Sequence, residues 1–200
     1  MPIPDLLAPP TATAARARDL VAELSTPALF NHCLRSYAFG MDLAASEARQ
    51  VDAELLFVAA MFHDAGVVPV FDSVGVDFEV VGGTVGRVFA AGAGWPEERR
   101  QRVHEIVVRH MWPSVDPALD VEGYLLERAT SLDVTGAAAE DWSADIRRRV
   151  VAAAPRLGFA QEFPACLLDQ ARRKPTSGAA RWSGSTSPER AAHNVLDDPL

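Results

Sequence analysis

The segment Ala53 to Gly66, AELLFVAAMFHDAG, is apolar on nearly every side for ten residues and then ends on His63 and Asp64. Asp52 in front of it is a helix-capping type, and Gly66 followed by Pro69 stops it. A helix without a polar face has to be surrounded by other elements, so this one belongs at the middle of a helical bundle. Burying an ionised Asp and a His at its end is costly unless they are paired, hydrogen-bonded or bound to a cation. The segment therefore predicts both an architecture and a metal site at its centre.

The surrounding helices are legible from periodicity. Residues 13 to 24 carry helix formers, and Ser25-Thr26-Pro27 marks the next start, with proline in the first turn. From there to about Ala48, Phe30, Leu34, Tyr37, Met41, Ala44 and Ala45 recur at three and four residues, one face of a 3.6-residue period. A helix is expected from Phe78 to Ala91, although Gly82, Gly83 and Gly86 weaken it by roughly 1 kcal/mol each. Pro96 with Glu97 and Glu98 opens another that Pro113 stops. Pro117 is read as the start of the next, reaching Asp133 and closed by Gly136, and two more follow at about Ser143 to Ala153 and Phe159 to Arg172. The nearest approach to a strand, VVPVF at 67 to 71, is short and contains a proline. The expectation is an all-α chain with a leader at 1–12, one domain at 13–175 and a tail at 176–200 that is poorly ordered or lies on the surface.

Bulk properties narrow the partners. A formal net charge of −8 gives no general attraction to phosphate backbones or anionic lipid, and no segment reaches the ~18 apolar residues needed to span a bilayer. Cys33 and Cys166 are far apart and form no CxxC pair, which fits a reducing compartment. A small-molecule substrate, no nucleic acid, no membrane and a cytoplasmic location are expected; a homodimer is compatible with all of these.

If His63 and Asp64 turn toward one ion, further ligands have to come from other helices. His32 in the first long helix and Asp133 at the end of a later one are the candidates, and two imidazoles with two carboxylates suit zinc, ferrous iron or manganese. His104 and His110 are six residues apart, about 240° around a helix, so one of them faces the core. Val103, Ile106 and Val107 place His110 on that side and leave His104 exposed. Cys33 reads as a small buried apolar residue.

The ordered set His32, His63-Asp64, Asp133 resembles the signature of the HD-domain superfamily of helical metal-dependent hydrolases. NHCLRSYAFG at 31–40, LLFVAAMFHDAG at 55–66, FEVVGG at 78–83, LERATSLDVTG at 126–136, PRLGF at 155–159 and KPTS at 174–177 look like its cyanamide hydratase-like branch. That resemblance implies a helical bundle with a central divalent metal held by His32, His63, Asp64 and Asp133. Many relatives bind a second metal through two more histidines. Here Glu79 stands in the first such place and His110 matches the second, which favours one metal, zinc foremost, with iron or manganese as alternatives. The implied reaction adds water to a small nitrile- or cyanamide-type substrate to give a urea or amide. Glu79 or His110 would handle the proton, and Asn31 and Arg35 would orient the substrate or support the ligands. The rival readings are a phosphohydrolase, which needs basic groups such as Arg35, Arg87 or Arg109 near the metal, a di-iron oxygenase, and a domain with a purely structural metal.

Overall fold

Residues 6–197 are described by the computed structural model, and their helices run in the order α1 (Ala12–Leu24), α2 (Pro27–Ser46), α3 (Ala53–Phe62), α4 (Phe78–Gly92), α5 (Glu97–Arg109), α6 (Val121–Thr135), α7 (Ala144–Ala153), α8 (Phe159–Arg173), α9 (Gly178–Ser183) and α10 (Ser187–Ala192). Short 3-10 turns occupy Ala65–Val67 and Ala139–Asp141. The described residues contain no strand, and VVPVF forms part of the first of these turns and the loop after it.

α3 is the hub. Every residue from Leu55 to Phe62 is buried, and the helix packs against α1, α2, α4, α5 and α6. Its all-round apolarity is thus matched by neighbours on all sides. Side chains such as Leu56, Phe57 and Phe62 contribute roughly 1.5–3 kcal/mol each by leaving water. Asp52 caps the helix by accepting from the Leu55 amide at 3.0 Å, and Thr26 does the same for α2 through the Leu29 amide.

The glycines of α4 have a packing reason. A Cβ on Gly82 would lie 2.6 Å from the Phe62 carbonyl oxygen and 2.7 Å from that of His63, and one on Gly66 would lie 2.1 Å from the Phe78 carbonyl oxygen. These two positions let α4 lie directly against the end of α3, where His63 and Asp64 sit. The lost helix propensity is offset by that close approach.

Several sequence expectations are corrected. α6 begins at Val121 and not at Pro117, because the Asp120 carboxylate accepts from the Gly123 amide at 2.9 Å and so fixes the first turn. Residues 117–119 form a turn. His104 is half-buried against Gly83 rather than exposed. The segment beyond Lys174, read as a tail, contains α9 and α10; Ala179 and Ala191 are fully covered, and Leu196 joins the main core. Of the expected leader, residues 1–5 lie outside the described residues, Leu6 is buried in the core, and Ala12 already opens α1. No helix among the described residues is long and apolar enough to cross a membrane.

Candidate metal centre

His32, His63 and Asp64 come together without exposure to solvent, and one ligand atom from each lies within 4.8 Å of the others. His32 projects from α2, His63 is the C-cap of α3, and Asp64 follows it where the helix gives way to the 3-10 turn. Because the helix has ended, the two consecutive side chains converge instead of diverging by 100°.

The hydrogen bonds determine which ring nitrogens are available. A carbonyl oxygen only accepts, so the 2.8 Å contact between His63 Nδ1 and the Ala60 carbonyl puts the proton on Nδ1. His32 Nδ1 likewise donates to Asp133 Oδ2 at 2.6 Å, and His110 Nδ1 donates to the Val107 carbonyl. All three rings therefore present an Nε2 lone pair to the centre. The two Nε2 atoms of His32 and His63 are 2.9 Å apart, and they lie 3.2 and 3.0 Å from Asp64 Oδ2. Neither Asp64 oxygen has a hydrogen-bond donor, although both are buried. Lone pairs facing lone pairs and an orphaned carboxylate describe a position for a cation. The donor set of two imidazoles and one carboxylate fits a divalent transition metal.

The charges agree. Burial alone would raise the Asp64 carboxyl, but His63 and His32 beside it hold it well below the ordinary range. Burial would lower His63, yet the neighbouring Asp64 charge raises it well above the usual value. His110 is lowered to about 4 by burial and by His63, which keeps its ring neutral with Nε2 3.7 Å from Asp64 Oδ1.

Asp133 is placed differently from the expected fourth ligand. Its Oδ2 accepts from His32 Nδ1 and from Arg35 Nη2 at 2.8 Å, and its Oδ1 accepts from Arg35 Nε at 2.7 Å and Arg156 Nη1 at 3.3 Å. Burial is outweighed by Arg35, His32 and Arg156, which depress its carboxyl far below normal. It stands behind His32 and fixes that ring's tautomer; it does not join the three converging atoms.

The remaining candidates separate clearly. Arg35 is fully buried, with its donors spent on Asp133 and on the Ala154 and Pro155 carbonyls. Asn31 donates to the Pro155 carbonyl at 2.7 Å. Both hold the α7–α8 junction against α2 and do not line the cavity over the metal position. Glu79 is buried beneath Gly178 at the start of α9; its Oε2 has no partner, burial raises its carboxyl, and it too lies outside the cavity lining. Of the expected catalytic pair, only His110 reaches the cavity.

That cavity measures about 190 Å³. His32, His63, Asp64 and His110 form one end, Met111, Val134, Phe163, Leu167 and Trp182 are its large apolar lining, and Thr130, Ser131, Thr135, Ser187 and Arg190 supply polar groups. Phe159 stacks on the His32 ring with centroids 4.5 Å apart. Sequence reasoning missed the lining from α8 to α10. The signal that could have found Phe159 and Phe163 is their i, i+4 spacing with Leu167; nothing comparable marks Trp182, Ser187 or Arg190.

A family model described as HD domain matches residues 29–141, more than half of the chain. The match contains all of the converging residues and ends before α8, α9 and α10. No curated protein matches the chain.

Proposed function

The chain belongs to the HD-domain family of metal-dependent hydrolases, and from that premise we propose that it adds water to a small, uncharged group of the nitrile or cyanamide type, giving an amide or urea. The observation that carries this reading is the polarity of the cavity wall. Thr130 Oγ1 donates to the Glu127 carbonyl, Ser131 Oγ to the Glu127 carboxylate, and Thr135 Oγ1 to the Ser131 carbonyl. Their protons are directed into α6, so the α6 wall of the cavity presents hydroxyl lone pairs, and donors come from the α10 side through Arg190. Acceptors of this kind suit the NH₂ of a cyanamide or of an amide product. A phosphoryl group needs donors and several cationic partners.

Three of the basic residues that a phosphohydrolase could use are engaged elsewhere, which leaves Arg190 as the single Lys or Arg of the cavity lining among the described residues. Arg35 is bound to Asp133, Arg87 pairs with Glu97 on the surface, and Arg109 pairs with Asp120. The resemblance of residues 31–40, 55–66, 78–83 and 126–136 to the cyanamide hydratase-like branch supports the same substrate class.

A divalent ion held by His32, His63 and Asp64 supplies, when bound, the acidity that brings water toward a pKa of about 7. His110, neutral and with Nε2 free, accepts a hydrogen bond from the attacking water. Water oxygen bonds to the nitrile carbon, one C≡N π bond breaks, and its electron pair takes a proton at nitrogen; the second water proton follows as the imidic acid becomes the amide. Phe159, stacked on His32, and the apolar wall exclude bulk water. Zinc is the metal proposed first, with iron or manganese as alternatives.

The test combines metal analysis of the purified protein with assays against cyanamide, small nitriles and nucleoside phosphates. One divalent ion per chain and urea or amide formation are expected. His63→Ala should lose metal and activity together. Orthophosphate release without urea or amide formation overturns the hydratase reading.

A further inference from the structure

The family match ends at residue 141, yet α8, α9 and α10 complete the cavity with Phe163, Leu167, Trp182, Ser187 and Arg190. Arg190 differs from all the others. It is the one Lys or Arg among the lining residues, and among the described residues it has no ion pair and its side chain makes no hydrogen bond. The other arginines close to the centre are neutralised: Arg35 by Asp133, and Arg156 by Asp133 and Asp197. Arg190 is exposed whereas the metal residues are buried, which places it at the solvent side of the cavity. It also lines an adjoining recess with Thr135, Glu189 and His193, so it stands where the inner cavity meets the outside.

We propose that Arg190 is a specificity-determining residue that binds a carboxylate on the substrate, so that the natural substrate is a short nitrile or cyanamide carrying an acid at its far end. This rests on the hydratase reading for the group that faces the metal. The cavity then has three zones in order: a cationic centre, an apolar stretch walled by Met111, Phe163 and Trp182, and a guanidinium that matches a carboxylate in a bidentate fork. A cavity of about 190 Å³ accommodates such a chain.

The experiment separates recognition from turnover. With the metal-loaded full-length protein, binding of succinamate and of butyramide is measured by calorimetry; the two share length and amide group and differ in the carboxylate. Succinamate is expected to bind about tenfold or more tightly than butyramide. Arg190→Gln should remove that preference without changing butyramide binding, and Arg190→Lys should restore part of it. Absence of a preference in the native protein, or its survival in Arg190→Gln, overturns the proposal. Turnover of 3-cyanopropanoate and butyronitrile is then compared: if neither is hydrated while the succinamate preference holds, the hydratase reading fails and the role of Arg190 stands.

Discussion

At the residue scale the centre is organised by tautomers. His32, His63 and His110 each commit Nδ1–H to a fixed acceptor, and each therefore offers Nε2 inward. Asp133 is the only one of these acceptors that is a side chain, so it can be altered without changing the backbone. Asp133→Asn should lower stability, because the buried Arg35 loses its counter-charge, and should weaken metal affinity by about 10–100-fold, since the amide no longer favours the required His32 tautomer; urea unfolding and a chelator competition titration on the folded protein measure the two. If Asp133 were a direct ligand equal to the other three, the same substitution would abolish stoichiometric binding. His63-Asp64 was legible as a buried polar pair at the end of an apolar helix. Asp133 was legible as belonging to the centre, but whether it faces the metal or His32 depends on the reach of Arg35 and Arg156, which no spacing encodes.

At the element scale, the end of α3 and the start of α6 carry the fold's sensitive contacts. Gly82→Ala would force a methyl group to within 3 Å of two carbonyl oxygens, which cannot move without shifting His63. It should destabilise the protein by about 1–3 kcal/mol, read from the urea midpoint, in spite of alanine's better helix propensity. α6 depends on Asp120, which caps the helix and pairs with Arg102 at 2.5 Å and with Arg109. Burial would raise its carboxyl, but Arg102, Arg109 and the Gly123 amide lower it. The stability it contributes is complete above the unfolded value of about 3.9 and is lost as pH falls through the folded value. Replacing it with Asn should flatten the acid limb of the stability curve measured between pH 5 and 2, values of order set by those ionisations. Element types were readable because α2, α3 and α5 are periodic or uniformly apolar. The start of α6 was not, because Pro117 and Asp120 are both good helix openers and only the Gly123 hydrogen bond decides between them. α9 and α10 escaped because six-residue helices are held by packing of single alanines and not by any repeating pattern.

At the scale of the whole molecule, the metal centre is tied to the distant end of the described chain. Asn194 Nδ2 donates to the Leu132 and Asp133 carbonyls at 3.2 and 2.9 Å, and Asp197 holds Arg156, which in turn reaches Asp133. Asn194→Ala should cost about 0.5–1.5 kcal/mol through the loss of these hydrogen bonds, since the Leu132 carbonyl keeps the Gly136 amide and the Asp133 carbonyl keeps Arg156. It should also loosen metal binding, although the residue touches none of the converging atoms; thermal unfolding with and without metal checks both.

The same tie has a consequence for folding. His32 meets its acceptor 101 residues later, Arg35 meets Asp133 across 98, and Arg156 waits another 41 for Asp197. Contacts of such long sequence separation form late and slowly. His63 and His110 are fixed by carbonyls three residues away as soon as α3 and α5 form, whereas the His32 ring is held only once Asp133 has joined α2. The ring that comes from α2 is therefore the last of the three to be set in place.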